Sequence, residues 1–181
     1  MSVGDRYATA LFKVGKEKKI LDTLEEGFTD LMSFYSEDKN FKKFFENPIV
    51  TNTEKKDFIQ SIMKQQPIEL KNFLKLLVDK NRENELLFIY FDFMDKVRQE
   101  RNKVLCKVKT AYELTEDEKE RLKEQLSNLT NKEVELENVV DNRIIGGIII
   151  KVGDRVYDYS ISGQLNQLRG NLEKTSLGKT G

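Results

Sequence analysis

The sequence predicts a mainly helical chain, an amino-terminal six-helix bundle over residues 1–104 followed by a small α+β domain over 105–181. Two changes along the chain predict this. Up to about Asn102 the apolar residues recur at helical spacing almost without interruption. Beyond Asn102 the period drops to two, returns once to a helical pattern, and then meets paired glycines and a hairpin signal. The chain has 181 residues and is 38% hydrophobic, enough for two small cores.

The helical stretches of the first part cover 5–18, 20–36, 40–46, 53–65, 68–80 and 83–101. Asn47-Pro48 closes the third, because the residue before proline is pushed out of the helical region. Thr53 is the expected cap of the fourth, and Pro67 suits the first turn of the fifth. Short joints between antiparallel helices give a bundle. In the second part, Val104, Cys106 and Val108 alternate with Leu105, Lys107 and Lys109 and predict a strand. Thr115-Glu116-Asp117-Glu118 is a capping box opening a helix with Leu122, Leu126 and Leu129 on one side. Val134, Leu136 and Val140 return to period two. Residues 143–152 read as a buried strand bent at Gly146-Gly147. Gly153-Asp154 predicts a hairpin into 155–159. A last helix carries Ile161, Leu165, Leu168 and Leu172, and the tail from Thr175 reads as frayed.

Composition excludes most chemistry. There are no histidines, which removes imidazole acid–base work, Ser–His and Cys–His nucleophiles, and histidine metal sites. The one cysteine, Cys106, cannot build a thiolate metal site alone, and on an apolar strand it reads as core. Gly178-Lys179-Thr180 has Glu173 where a phosphate-binding loop needs glycine. Gly146-Gly147 lacks the third glycine of a dinucleotide fingerprint. Carboxylate runs such as Glu116-Asp117-Glu118 read as a solvated helix face. We therefore expect no catalytic, cofactor-binding or metal-binding residues. Thirty-one basic and 31 acidic residues give a net charge of +0, which disfavours nucleic acid as a partner. The first residues lack a signal-peptide pattern, and no apolar run approaches the ~18 residues of a membrane span. No direct membrane insertion is expected.

Helix faces point to partners instead. The second and fourth helices keep their apolar side chains within one arc and need a single buried face. In the first, Tyr7, Ala8, Ala10, Leu11, Phe12, Val14 and Gly15 sweep about 200°. In the fifth, Leu70, Phe73, Leu74, Leu76, Leu77 and Val78 sweep about 200° as well. Either both are central in the bundle or their surplus faces a partner. The sixth helix, apolar nearly all round from Leu86 to Phe93, is the expected central one. The last helix has a narrow seam of about 40°, suited to packing on the sheet or on a partner helix.

These residues resemble a known family. Arg6-Tyr7-Ala8-Thr9-Ala10-Leu11-Phe12 is similar to the opening helix of the delta subunit of F-type ATP synthases, bacterial relatives of the oligomycin-sensitivity-conferring protein. Val140-Asp141, then Ile145-Gly146-Gly147-Ile148, then Val152-Gly153-Asp154-Arg155-Val156-Tyr157-Asp158-Tyr159-Ser160-Ile161, with Leu165 and Leu168, resembles its carboxyl-terminal signature in content and order. Asn142 stands where many members carry proline, and Asn131 replaces a commoner glycine turn.

The resemblance implies a non-catalytic stator subunit linking the catalytic head to the peripheral stalk. It implies that 1–104 binds the amino-terminal segment of a head alpha subunit through the first and fifth helices, and that 105–181 binds the b subunits of the stalk. Tyr7, Leu11, Val14, Phe73, Leu74 and Leu77 are the candidate groove residues, though each also fits core packing. The expected location is peripheral, on the cytoplasmic side of a bacterial cell membrane, or on the thylakoid for a plastid-encoded copy. Two other classes stay open on sequence: a generic helical scaffolding adaptor, and an RNA-binding α+β module that the charge disfavours.

Overall fold

The computed structural model describes the backbone of residues 3–153 and 155–177 and the side chains of residues 4–153 and 155–169. Gly178-Lys179-Thr180, Asp154 of the hairpin and the Leu172 side chain lie outside the described residues. The chain is mainly helical with one small sheet, and it forms two compact units, Met1–Glu100 and Arg101–Gly181.

The first unit runs α1 (Val3–Glu17), α2 (Leu21–Glu37), α3 (Lys39–Glu46), α4 (Asn52–Ile62), α5 (Ile68–Asp79), a 3-10 turn (Glu83–Glu85) and α6 (Leu86–Glu100). Its boundaries follow local chemistry. Asp38 caps α3, its carboxylate accepting from the Asn40 and Phe41 amides. Thr51, not Thr53, caps α4. Its hydroxyl accepts from the Glu54 amide at 3.3 Å, and the Glu54 carboxylate accepts from the Thr51 amide at 2.9 Å. This is a capping box that satisfies two orphan donors reciprocally. Thr53 is already inside the helix. Pro67 is the residue before the first turn of α5 rather than part of it.

The core of this unit is aromatic. Phe28 has the rings of Phe73, Tyr90 and Phe93 around it, with centroids 5.2–6.1 Å away. A second group joins Phe41 to Phe45, Tyr35 and Phe58. Such pairs contribute beyond their buried area. The Tyr35 hydroxyl donates to the Glu46 carboxylate. Burial first, then that hydrogen bond and the carboxylate's charge, push its phenol pKa well above the usual value near 10. Folded protein thus holds the proton more tightly than the unfolded chain does. This contribution to stability is fully present below about pH 10 and declines as pH rises beyond it. Urea titrations at alkaline pH should show that decline, and Tyr35→Phe should flatten it.

The expectation that α6 is the central helix fails. Leu86, Ile89, Phe93 and Val97 form a single buried stripe, while Phe88 is 64% and Phe91 51% exposed. Composition alone cannot tell an encircled helix from one with aromatics on its outer side. The more enclosed helix is α5, which packs against α1, α2, α4 and the 3-10 turn. Between α4 and that turn sits a buried ion pair, Lys55 Nζ to Glu83 Oε1 at 2.6 Å.

The second unit contains β1 (Lys103–Thr110), α7 (Glu116–Thr130), β2 (Glu133–Val140), β3 (Ile148–Val152), β4 (Arg155–Asp158) and α8 (Ile161–Leu177). The sheet order is β2-β1-β3-β4, with β1 parallel to β2 and the other pairs antiparallel. Alternation sorts the faces. One face aligns Leu136, Cys106, Val152 and Arg155 in one row and Asn138, Val108, Ile150 and Tyr157 in the next. There Cys106, Val108, Val134 and Ile150 are buried with Leu126 of α7, and burial raises the Cys106 thiol. The opposite face carries cross-strand pairs, Lys103 with Glu133 at 2.7 Å and Lys107 with Glu137 at 2.9 Å. The Thr115–Glu118 capping box opens α7 as expected. Asn131 ends it with φ 53°, a left-handed position that asparagine tolerates in place of glycine.

The late signature is a structural clamp. The predicted strand 143–152 is shorter than expected, since β3 begins only at Ile148. Asp141 instead folds 141–144 into a turn, accepting from the Arg143 amide and guanidinium, which hold its carboxyl well below the usual range. The Ile161 amide donates to Gly146 O, and the Tyr159 amide to Ile148 O. Asp158 accepts from the Ser160 amide at 2.9 Å and its hydroxyl at 2.5 Å, and Ser160 Oγ accepts from the Gly163 amide. Together these bonds start α8 against β3 and β4. The helix then runs to Leu177, past Thr175. Its seam is not packed on the sheet, because Ile161, Leu165 and Leu168 are all exposed.

Candidate functional site

The two helices with over-wide apolar arcs pack against each other. On α1 the stripe Gly4, Ala8, Leu11 and Gly15, spaced by three and four, turns into the core. Tyr7, Phe12 and Val14 are half-buried beside it, and Ala10 is exposed. On α5 the core takes Leu70, Phe73, Leu74, Leu77 and Val78. Ile68 and Leu76, two turns apart on the outer side, remain 53% and 43% exposed.

The Tyr7 ring meets the Phe73 ring edge-on at 6.4 Å. At the other end of α1, Lys18 Nζ lies 2.8 Å from Glu69 Oε1. The hydrogen bond from Lys18 is the main cause of a lowered Glu69 carboxyl pKa. An aromatic contact and an ion pair therefore tie α1 to α5 at two points. Between them Ala10 and Val14 of α1 keep some surface, while Ile68 and Leu76 of α5 lie just beyond the two ties, one at each end.

The six residues singled out by sequence divide into two groups. Leu11, Phe73, Leu74 and Leu77 are buried in the free chain, and only Tyr7 and Val14 retain surface. Leu76 belongs to the same arc and is the more exposed leucine of α5, but a choice made on periodicity alone passed it over. Its signal was position: Ile68, Asn72 and Leu76 share one helical line, which leaves it opposite the Leu70–Leu74–Leu77 core line. What this face offers is apolar contact, not chemistry. Among the described residues no group of three or more His, Cys, Asp or Glu is placed to hold a metal.

Comparison with known proteins bears on what such a face is for. The model of the family described as ATP synthase delta (OSCP) subunit matches residues 3–172. An ATP synthase subunit delta of Natranaerobius thermophilus is 38% identical over 177 residues, covering 98% of this chain and 99% of that protein. The subunit of the same name from Carboxydothermus hydrogenoformans is 38% identical over 172 residues, 95% of this chain and 97% of that one. A chain of the Toxoplasma gondii mitochondrial ATP synthase hexamer shares the fold, with TM-score 0.79, 19% identity and coverage of 95% and 98%. A family model spanning both units, with relatives this similar over nearly their full length, makes the chain a member of the ATP synthase delta (OSCP) subunit family.

Proposed function

We propose that the chain holds an amphipathic amino-terminal segment of a head alpha subunit against α1 and α5, and the ends of the b stalk subunits on the second unit. The broader role follows from the family. The chain is a non-catalytic stator subunit of the F-type ATP synthase, joining head to peripheral stalk so that rotation is coupled to ATP synthesis. A scaffold unrelated to ATP synthase is not favoured beside that match. On this reading the six helices of the first unit act as one bundle, and the chain is peripheral on the cytoplasmic side of a bacterial cell membrane, as its bacterial relatives support. No helix among the described residues is long and apolar enough to cross a membrane.

The observation that carries the reading is the apolar stripe that α1 and α5 leave outside the core. Proton flow turns the rotor, and the head turns with it unless held. The holding contact must release slowly, which an amphipathic helix in an apolar groove achieves through anchors at helical spacing. Nanomolar binding is about −12 kcal/mol. A few anchors gaining ~1.5–3 kcal/mol each reach that level once ordering costs are met. Tyr7, Val14 and Leu76 touch the segment, while Leu11, Phe73, Leu74 and Leu77 shape the groove from beneath.

Calorimetry of the full chain with a synthetic alpha amino-terminal peptide tests this. A saturable heat with a micromolar or tighter Kd is expected. Leu76→Asp should weaken it about tenfold or more and leave stability unchanged. Phe73→Ala should instead cost about 3–5 kcal/mol of stability. Absence of heat and of competition at micromolar peptide overturns the assignment.

A further inference from the structure

The core-side face of the sheet in the second unit has room for two helices and carries one. A helix is about 10 Å across, close to the width of two strands. Helix α7 takes the β2–β1 half of that face through Leu122 and Leu126. Over β3 and β4 an open groove of about 390 Å³ remains. Ile150 and Val152 form its floor, and β4 with the residue after it lines it with Arg155, Tyr157 and Tyr159. After α7 the chain re-enters the sheet at Glu133, beside Lys103, so the end of α7 lies at the Arg155 end of the groove. There Leu129 overhangs it, 79% exposed. Helix α8 begins two residues after Tyr159, and its apolar side chains Ile161, Leu165 and Leu168 are exposed and outside the groove. Groove and seam are two uncovered apolar surfaces joined through Ser160.

We propose that α8 is a hinged lid: in the free chain it folds back over β4 and seats Ile161, Leu165 and Leu168 in the groove, and the position described above is its open state. The spacings match. Alternate residues of a strand stand about 6.7 Å apart, so Tyr159, Tyr157 and Arg155 mark out about 13 Å. A helix rises about 1.5 Å per residue, so Ile161 to Leu168 spans about 10 Å. Running antiparallel to β4, α8 sets Ile161 by Tyr159, Leu165 over Tyr157 and Ile150, and Leu168 between Arg155 and Leu129. The joint lies at 160–163, where Gly163 lets the first turn of α8 pass close to β4: a Cβ there would lie 2.7 Å from the Asp158 carboxylate. Closing gives up one backbone bond, from the Ile161 amide to Gly146 O at 3.0 Å. It keeps the Asp158–Ser160 bonds and the bond from the Tyr159 amide to Ile148 O. In return the seam and the groove cover each other's apolar surface. A tethered segment competes at high effective concentration, so α8 holds the groove ahead of a foreign helix. Any partner of this face has to open the lid first, and the proposal holds whichever partner that is.

The test uses the full chain alone. Leu129→Cys combined with Leu168→Cys puts two thiols at exposed positions, so the core is untouched, and the native Cys106 is buried. Mild oxidation should join them within one chain, seen as a faster-migrating monomer on a gel without reductant. The control is Leu129→Cys with Asn166→Cys, which lies on the side of α8 away from the seam. Bridging needs the two backbones within about 7 Å, so the Leu168 pair should form its bond about tenfold faster than the control. Leu165→Asp should open the lid. The amides of 164–169 should then exchange hydrogen about tenfold faster than in the unaltered chain, while β1–β4 keep their protection. A Leu168 pair that bridges no faster than the control, or exchange in α8 that Leu165→Asp leaves unchanged, overturns the proposal.

Discussion

Gly147→Ala is expected to unfold the second unit while leaving the first intact. Gly147 sits at φ +81°, where an L side chain costs about 1–2 kcal/mol. The larger cost is contact. A Cβ there would lie 2.4 Å from the Tyr159 carbonyl oxygen and 2.9 Å from Ser160 Cα. Both are backbone atoms, locked by the bonds that fasten α8 to β3, so neither can rotate away. A total near or above about 3 kcal/mol follows, a large share of what a small unit has to lose. Hydrogen exchange read peptide by peptide should show protection collapsing across 103–158 and unchanged across α1–α6. Gly153→Ala is the control. Its φ is +57°, but among the described residues nothing lies within 4 Å of the added carbon, so about 1 kcal/mol is expected. Equal effects from the two substitutions would refute the contact argument.

Breaking the Lys55–Glu83 pair is the second large effect. Both side chains are almost fully buried, so removing one strands a charge in the core. Lys55→Met alone, or Glu83→Leu alone, should cost about 3–5 kcal/mol. For a unit of this size that lowers Tm by about 15 °C or more. The double variant should recover most of the loss, because replacing both partners with apolar groups removes the desolvation cost together with the attraction. Single variants within 1 kcal/mol of the unaltered chain would show that water reaches the pair.

Much of the fold is legible in the order of residues. The period of apolar positions is a property of the chain, and it located the six helical stretches, the switch to strands after Asn102 and the α7 capping box. Boundaries were less legible. Thr51 and Thr53 both suit a cap, and the choice depends on which one Glu54 reaches back to. The strand expected from Arg143 begins only at Ile148, because Asp141 and Arg143 close a turn ahead of Gly146-Gly147 that an apolar run conceals. The Lys55–Glu83 pair carries no sequence signal, since its partners lie 28 positions apart.

The candidate face shows the division most clearly. Helical spacing alone established that α1 and α5 carry more apolar surface than one neighbour can cover, because spacing fixes the angle at which each side chain leaves its helix. It could not say which part of the arc the neighbours take. Packing assigned Leu11, Phe73, Leu74 and Leu77 to the core and left Leu76 outside, and it turned Phe88 and Phe91 of α6 outward despite their composition. Burial is a relation between elements distant in the chain, so it exists only once α1, α2, α4 and the 3-10 turn have closed around α5.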